Sequence, residues 1–512
     1  MENTISYSQA LVKGKSGVDF MKFYRSTRSL AETATASEAI FRGIAPDGGL
    51  YTPTSFADMR VSMDEFLGRP ALEIARLTLG RLLGEFSAEE IRGVVDKGYE
   101  GKFETEDLVP LKDVGDAHVL ELFRGPTSAF KDMALSLLPR LMALSRKKLG
   151  ADEEILVLTA TSGDTGKAAL EGFCGVPGTR IIVFYPENGV SDVQRAQMIT
   201  QPGENVAVCA VRGNFDDAQT GVKRIFADDG REGWAAKSGV CLSSANSINL
   251  GRLAPQVFYY FKAYADLVAR GAIRPGDAVN FAVPTGNFGD ILAGEFARRM
   301  GLPVGRLICA SNANNVLTDF IRTGVYDRRR DFHKTTSPSM DILVSSNLER
   351  YLFLAGGCDP EPVKRMMAEL SEKGAYQAPE SVMARMRETF WGGWADDAQA
   401  AGTIRREYGE NGYLMDPHTA VGRSALTQYR AETGDNRPAV VLSTASPYKF
   451  PAAVLRAIGG DTSGTEFEQM ARLEKITGVP IPAPLAALQG KPELHTDVIE
   501  KESMPAYVLG LE

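Results

Sequence analysis

At 512 residues the chain is too long for one simple hydrophobic core, and its length points to about two to four domains. Hydrophobic residues make up 44% and charged residues 24%, ordinary values for a globular protein that needs no covalent staples. The net charge of −8, with no long basic block, argues against nucleic acid or an anionic membrane surface as a partner, so an anionic ligand would need local positive groups. The five cysteines are dispersed, with no Cys-x-x-Cys pair, which suits reduced thiols, and the four scattered histidines offer no zinc-type spacing. No stretch reaches the roughly twenty apolar residues of a membrane helix. The N-terminus lacks the apolar centre of a signal peptide, and the expectation is a cytoplasmic protein.

Residues 1–20 are polar and without periodicity, and are set aside from the fold as an extension. From 21 to 105 the pattern is helical and loop-like, punctuated by the turn-rich run Ala45-Pro46-Asp47-Gly48-Gly49-Leu50-Tyr51. Short β-branched runs then follow at 155–160, 181–185, 206–211, 279–285, 306–310 and 439–444, with amphipathic stretches at 165–173, 215–226 and 288–300. That alternation predicts an α/β fold of parallel sheets covered by helices, and uninterrupted apolar runs fit strands buried on both faces. Residues from about 495 onward are polar and read as a C-terminal tail.

In such sheets ligands collect beyond the carboxyl ends of strands, against helix N-termini. Three segments there carry candidate chemistry. Beyond 279–283 comes Gly286-Asn287-Phe288-Gly289-Asp290, whose glycines let backbone N–H groups approach an anion while the next helix supplies its positive end. Taken alone, it is better explained as a strand-to-helix turn capped by Asn287 or Asp290. Beyond 155–159 comes Thr161-Ser162-Gly163-Asp164-Thr165-Gly166-Lys167. It fails as a nucleotide phosphate loop, because Thr161 and Ala168 stand where glycine and a hydroxyl residue are required. What remains is a hydroxyl-rich turn at a helix start, suited to a carboxylate or to capping alone. The third segment, Gly125-Pro126-Thr127-Ser128-Ala129-Phe130-Lys131-Asp132, precedes a helix predicted over 133–142. If buried at that positive end beside Phe130, Lys131 would have a lowered pKa and could serve as nucleophile and proton carrier. Alone, such a lysine is usually a solvated surface charge.

These segments, in order with Ser244-Ala245-Asn246-Ser247-Ile248-Asn249, Ser339-Met340-Asp341-Ile342, Ser346-Asn347, Asp416-Pro417-His418-Thr419-Ala420 and Ser443-Thr444-Ala445, resemble the threonine synthase family. These are pyridoxal-phosphate enzymes of fold type II, with the tryptophan-synthase-β-type fold, and the length is similar to that of the longer bacterial and fungal branch. The resemblance runs over nearly the whole chain from Met21. It implies pyridoxal 5'-phosphate as cofactor, with Lys131 as its Schiff-base partner. Gly286, Asn287, Phe288, Gly289 and Asp290 would hold the cofactor phosphate, and Thr444 would face the pyridine nitrogen. Asp164 stands where many relatives carry an asparagine near the cofactor's 3-hydroxyl. Ser162, Gly163 and Thr165 would bind the substrate carboxylate.

A second anion site is implied at Asn246, Ser247 and Arg252, the last through its planar donor fork, with Lys449 as a further candidate. A helix-surface ion pair is the other reading of Arg252, since 248–270 reads helical. Arg124 replaces the family's usual histidine and either helps hold an anion or faces solvent. His418 is open between a general base and a structural residue. The implied organisation is an N-terminal domain over 21–105, a larger cofactor-binding domain over 106–150 and 246–494, a smaller domain over 151–245 with the carboxylate turn, and a tail over 495–512. The implied reaction converts the small molecule O-phospho-L-homoserine and water to L-threonine and phosphate, in a monomer or homodimer. A phospho-lyase, a serine or threonine dehydratase and a cofactor-less binding protein are the competing readings.

Overall fold

The computed structural model describes residues 24–161 and 163–510, preceded by two short paired strands, Leu11–Lys13 and Asp19–Met21. The remainder of the expected extension over 1–20 lies outside the described residues. In chain order the two main sheets use β1 (Leu111–Val114), β2 (Ala117–Glu121), β3 (Glu154–Ala160), β4 (Thr179–Pro186), β5 (Val206–Arg212) and β6 (Val240–Ser243). They continue with β7 (Val279–Pro284), β8 (Val304–Ser311), β9 (Phe390–Trp394), β10 (Ala439–Ser443) and β11 (Val498–Glu500).

The larger sheet runs β9-β8-β7-β10-β2-β1 and is parallel except for β1 at its edge; the smaller runs β6-β3-β4-β5-β11, all parallel. Every residue of β7 and β10 is buried, which is why these strands read as apolar runs without alternation. The expected α/β architecture is therefore present, with six and five strands.

Three local expectations are corrected, and one strand carried no expectation at all. The strand β9, Phe390-Trp391-Gly392-Gly393-Trp394, was hidden by its two glycines; a Cβ on Gly392 would stand 3.0 Å from Thr318 Cα, so the glycine admits a neighbouring helix backbone. The polar C-terminus is not a free tail: Val498–Glu500 adds a parallel edge strand to β5, and Met504 seats against Gly221. Its outward charges, including a Glu500–Arg212 pair at 2.8 Å, are what an edge strand carries.

The helix expected over 133–142 divides into α1 (Asp132–Leu135) and α2 (Leu138–Leu149), with Pro139 in the first turn of the second. After β3 comes α3 (Asp164–Phe173). The helix expected over 248–270 is broken into α4 (Leu250–Leu253), a 3-10 turn Ala254–Val257 and α5 (Phe258–Ala269), because Pro255 has no N–H to donate.

Two buried polar groups tie the N-terminal residues to this frame. Asn249 donates to Ile40 O at 2.9 Å, and Arg350 donates through Nε to Tyr51 O at 2.9 Å and through a terminal nitrogen to Ile248 O. The Gly49-Leu50-Tyr51 turn is thus an anchor for the strand ends. Among the described residues, no helix is long and apolar enough to cross a membrane.

Candidate active site

The segment after β10 lies antiparallel to the turn before Lys131: Phe130 N–H donates to Thr444 O at 2.8 Å and Ser446 N–H to Ser128 O at 3.0 Å. Ser128 takes the left-handed φ of 58° that the turn requires. Asp132 closes it by accepting from Thr127 N–H at 2.9 Å and Oγ1–H at 2.6 Å. Lys131 is thereby carried into the interior rather than onto the surface. Its Nζ donates to Ser339 Oγ at 3.1 Å and stands 3.9 Å from Asp164 Oδ2. Burial lowers its pKa to about 8; Asp164 opposes the fall, while Arg252 and Lys449 add to it.

Asp164 opens α3 from the smaller sheet and meets Lys449, one turn past β10 of the larger, at 2.7 Å; Gln194 donates to the same oxygen at 2.9 Å. Burial disfavours its charge, but Lys449 and then Lys131 outweigh burial and hold the carboxylate well below its ordinary range. Lys449 is therefore an ion-pair partner of Asp164, not a member of the second anion site. In the turn itself Gly163 has φ 138°, and a Cβ there would fall 2.4 Å from Gln194, so only glycine fits. Thr161 Oγ1 accepts the N–H groups of Gly163 (3.0 Å) and Gly166 (2.9 Å), and among the described residues the N–H groups of Asp164 and Thr165 donate to no other group. Ser162 lies outside the described residues.

Beyond β7 the chain turns through Phe288, left-handed at φ 63°, into α6 (Gly289–Arg299). Among the described residues, the N–H groups of Gly286, Asn287 and Phe288 donate to no other group, and α6 adds its own first-turn N–H groups. A Cβ on Gly286 would stand 2.9 Å from Ser339 O, so the loop is packed under the segment that touches Lys131. Donors without partners among the described residues, and a helix N-terminus, suit an anion in the same site as a buried amine. An aldehyde cofactor bearing a phosphate fits these residues. The side chain of Asp290 points elsewhere: Tyr259 (2.5 Å) and Tyr260 (3.0 Å) hold its Oδ1, and burial raises its pKa to about 6. A carboxylate would repel a phosphate, so Asp290 offers its backbone N–H there, while its side chain braces α6 against α5.

The residues implied for a second anion site include a buried cation. Arg252 is 5% exposed and donates to Ala245 O at 2.7 Å; among the described residues its Nε–H has no acceptor and the guanidinium no carboxylate. Burial alone lowers its pKa to about 10, leaving it charged at neutral pH. The helix-surface ion pair is thus excluded. Asn246 and Ser247 lie beside it in sequence, with Ser247 Oγ 3.3 Å from Asn246 Oδ1. Asn347, just before α7 (Leu348–Ala355), donates to Ser247 Oγ at 3.4 Å and to Asn287 O at 3.1 Å, so it links the 246–247 segment to the 286–288 loop.

His418, near the start of α8 (Pro417–Thr433), accepts Ser339 N–H on Nε2 at 3.2 Å and donates from Nδ1 to Asp416 at 2.6 Å. Both nitrogens are occupied, so it positions the Ser339 segment and has no free base. Arg124 neither reaches an anion site nor stands free: it pairs with Glu121 (2.7 Å) and Glu104 (2.8 Å). Sequence reasoning missed Ser339 and Asn347, although both stand in the runs that carry the family resemblance. Gln194 gave no local signal.

The family model "Threonine synthase N terminus" matches residues 23–99, "Pyridoxal-phosphate dependent enzyme" residues 117–387, and "Threonine synthase, C-terminal" residues 419–505. The chain is 40% identical over 439 residues to a threonine synthase of Pseudomonas aeruginosa, covering 85% of this chain and 90% of that one. It is 39% identical over 435 residues to human "Threonine synthase-like 1", but spans only 58% of that protein's length while 82% of this chain is covered. Among solved structures, pyridoxal-phosphate-bound threonine synthase from Brucella melitensis superposes with a TM-score of 0.84 at 37% identity, over 95% of this chain and 99% of that one. The yeast threonine synthase gives 0.85 at 33%, over 95% and 98%.

Proposed function

The chain belongs to the threonine synthase family of pyridoxal-phosphate-dependent enzymes, and from that premise we propose that it converts O-phospho-L-homoserine and water to L-threonine and phosphate. The observation that carries the reading is Arg252, a buried guanidinium without a carboxylate partner among the described residues, five residues after Ser247, which Asn347 links to Asn287 of the 286–288 loop. Such a cation is costly to bury unless a ligand completes it, and a phosphorylated substrate does.

In this reading Lys131 holds the cofactor, and Gly286, Asn287, Phe288, Gly289 and Asp290 bind the cofactor phosphate through backbone N–H groups. Pyridoxal phosphate, when bound, supplies the electron sink for carbanion chemistry on the amino acid. Asp164 and Thr165 N–H, with the Thr165 hydroxyl and Ser162, orient the substrate carboxylate. Asn246, Ser247 and Arg252 hold its phosphate through departure from Cγ. Lys131, freed as an amine, takes the Cα proton, then a Cβ proton, and returns protons at Cγ and Cα around the addition of water at Cβ. Its lowered proton affinity suits repeated transfer. Thr444, at the end of β10, would offer the cofactor ring a hydroxyl, which could not stabilise a charged pyridine nitrogen as a carboxylate would.

We assign the larger cofactor-binding domain to 106–150 and 246–494 and the smaller to 151–245, with β11 returned to the smaller sheet. Incubating the protein with O-phospho-L-homoserine and assaying phosphate, threonine, ammonia and keto acid together tests the reading. Phosphate and threonine in equal amounts are expected; phosphate with ammonia and a keto acid would make it a phospho-lyase.

A further inference from the structure

Lys449 stands out among the buried cations, because it touches both sides of the site. It ends a 3-10 turn, Pro447–Lys449, directly after β10, and its side chain is fully buried. Nζ donates to Thr127 O at 3.1 Å, in the turn that carries Lys131, and pairs with Asp164 Oδ1 at 2.7 Å, from the smaller sheet. The other oxygen of Asp164 is 3.9 Å from Lys131 Nζ, beyond hydrogen-bond reach. One carboxylate thus faces two lysines and is bound by one of them.

We propose that Lys449 is a positioning residue that holds Asp164 at hydrogen-bond distance, so that the carboxylate makes no direct hydrogen bond to Lys131 and the cofactor lysine gives up its proton more readily. The proposal rests on the reading of Lys131 as the cofactor lysine, and it deepens that reading by naming what sets the lysine's protonation. A buried charge is strongly disfavoured without its partner, so Lys449 and Asp164 are mutually committed. Were Lys449 uncharged, Lys131 would be the cation remaining within pairing distance of Asp164, and a direct ion pair would raise its proton affinity.

The charged surroundings fit this division. Lys131 is faced by Asp164, Arg252, Lys449 and Asp132, with Ser339 Oγ as its hydrogen-bond acceptor. Asp164 is faced by Lys449, Lys131 and Gln194. Lys167, which acts on Asp132 and Lys449 from α3, is itself held by Glu171 at 3.1 Å. His418 reaches the cluster through Ser339 N–H and is held by Asp416. Asp164 is therefore the carboxylate that Lys449 decides between the two amines.

The test uses the full chain freed of cofactor. Lys131 acetylation by N-hydroxysulfosuccinimide acetate is followed across pH by peptide mass spectrometry, with thermal unfolding measured on the same samples. The parent midpoint is expected near 8. In Lys449→Met it should rise by about 1–3 pH units. In Asp164→Asn/Lys449→Met, where both charges are gone, it should fall back toward the parent value. An unchanged midpoint in Lys449→Met, or equal midpoints in the single and double variants, would overturn the proposal. If Lys449→Met does not fold, Asp164→Asn alone decides: it leaves Lys449 uncompensated beside Lys131 and should lower the midpoint, and an unmoved or raised midpoint refutes the idea. None of these readouts depends on turnover, so failure of the substrate assignment would leave them intact.

Discussion

Replacing Arg252 by Met removes the charge of the second anion site while keeping a side chain of similar reach. The guanidinium has one hydrogen bond in place, to Ala245 O, so its Nε–H and outer N–H groups are available for a phosphate. Two such charge-assisted bonds at roughly 1.5–3 kcal/mol each come to about 3–6 kcal/mol. At about 1.4 kcal/mol per tenfold, kcat/KM for O-phospho-L-homoserine should fall about 10²- to 10⁴-fold. Stability should move the other way or not at all. Leaving Ala245 O unpaired costs about 1–3 kcal/mol, whereas an unpartnered buried ion costs several. The assay compares substrate kinetics, cofactor titration by absorbance and thermal unfolding in parent and variant. A kcat/KM within about threefold of the parent, or equal losses of cofactor affinity and substrate use, would refute the reasoning.

Lys131→Ala should abolish both the cofactor's long-wavelength absorbance and turnover, since the amine that binds and shuttles protons is gone; retention of either would contradict the assignment. Gly286→Ala should weaken cofactor binding by about 5- to 150-fold in a titration, because the new Cβ meets Ser339 O at 2.9 Å and about 1–3 kcal/mol of overpacking follows. Normal affinity would mean that the cradle gives way. Capture of pyridoxal phosphate by cofactor-free protein should speed up as pH rises through about 8 and then level off, the deprotonated amine being the nucleophile. A midpoint at the ordinary lysine value, about 10.4, would show that burial does not tune it.

The parts of this protein legible in its sequence are those whose signal is local. Apolar runs marked β3, β4, β5, β7, β8 and β10 because both faces of those strands are buried. The loop 286–290 and the turn 161–166 announced themselves by glycine and hydroxyl residues at helix starts, and Lys131 by its place before α1. What escaped was set by partners distant in the chain. The lysine at 449 is an ion-pair partner only because β10 ends beside α3, 285 positions earlier at Asp164. Asn347 and Arg350 act through contacts with Asn287, Ser247, Ile248 and Tyr51 that no local spacing encodes. The edge strand Val498–Glu500 is too short and too charged to carry a period of two. Phe390–Trp394 is masked by glycines kept for close backbone approach. Arg124 and His418 drew attention for their chemical types, and neighbouring carboxylates and a backbone N–H account for both.

The claim on which the rest depends is that one particular buried lysine bears the cofactor. Reducing the cofactor-loaded protein with borohydride, digesting it and mapping the modified peptide tests this directly, because Lys449 is a second buried lysine in the same cluster. The cofactor's mass is expected on Lys131, with Lys449 unmodified. Attachment at Lys449, or at any other lysine, would contradict it.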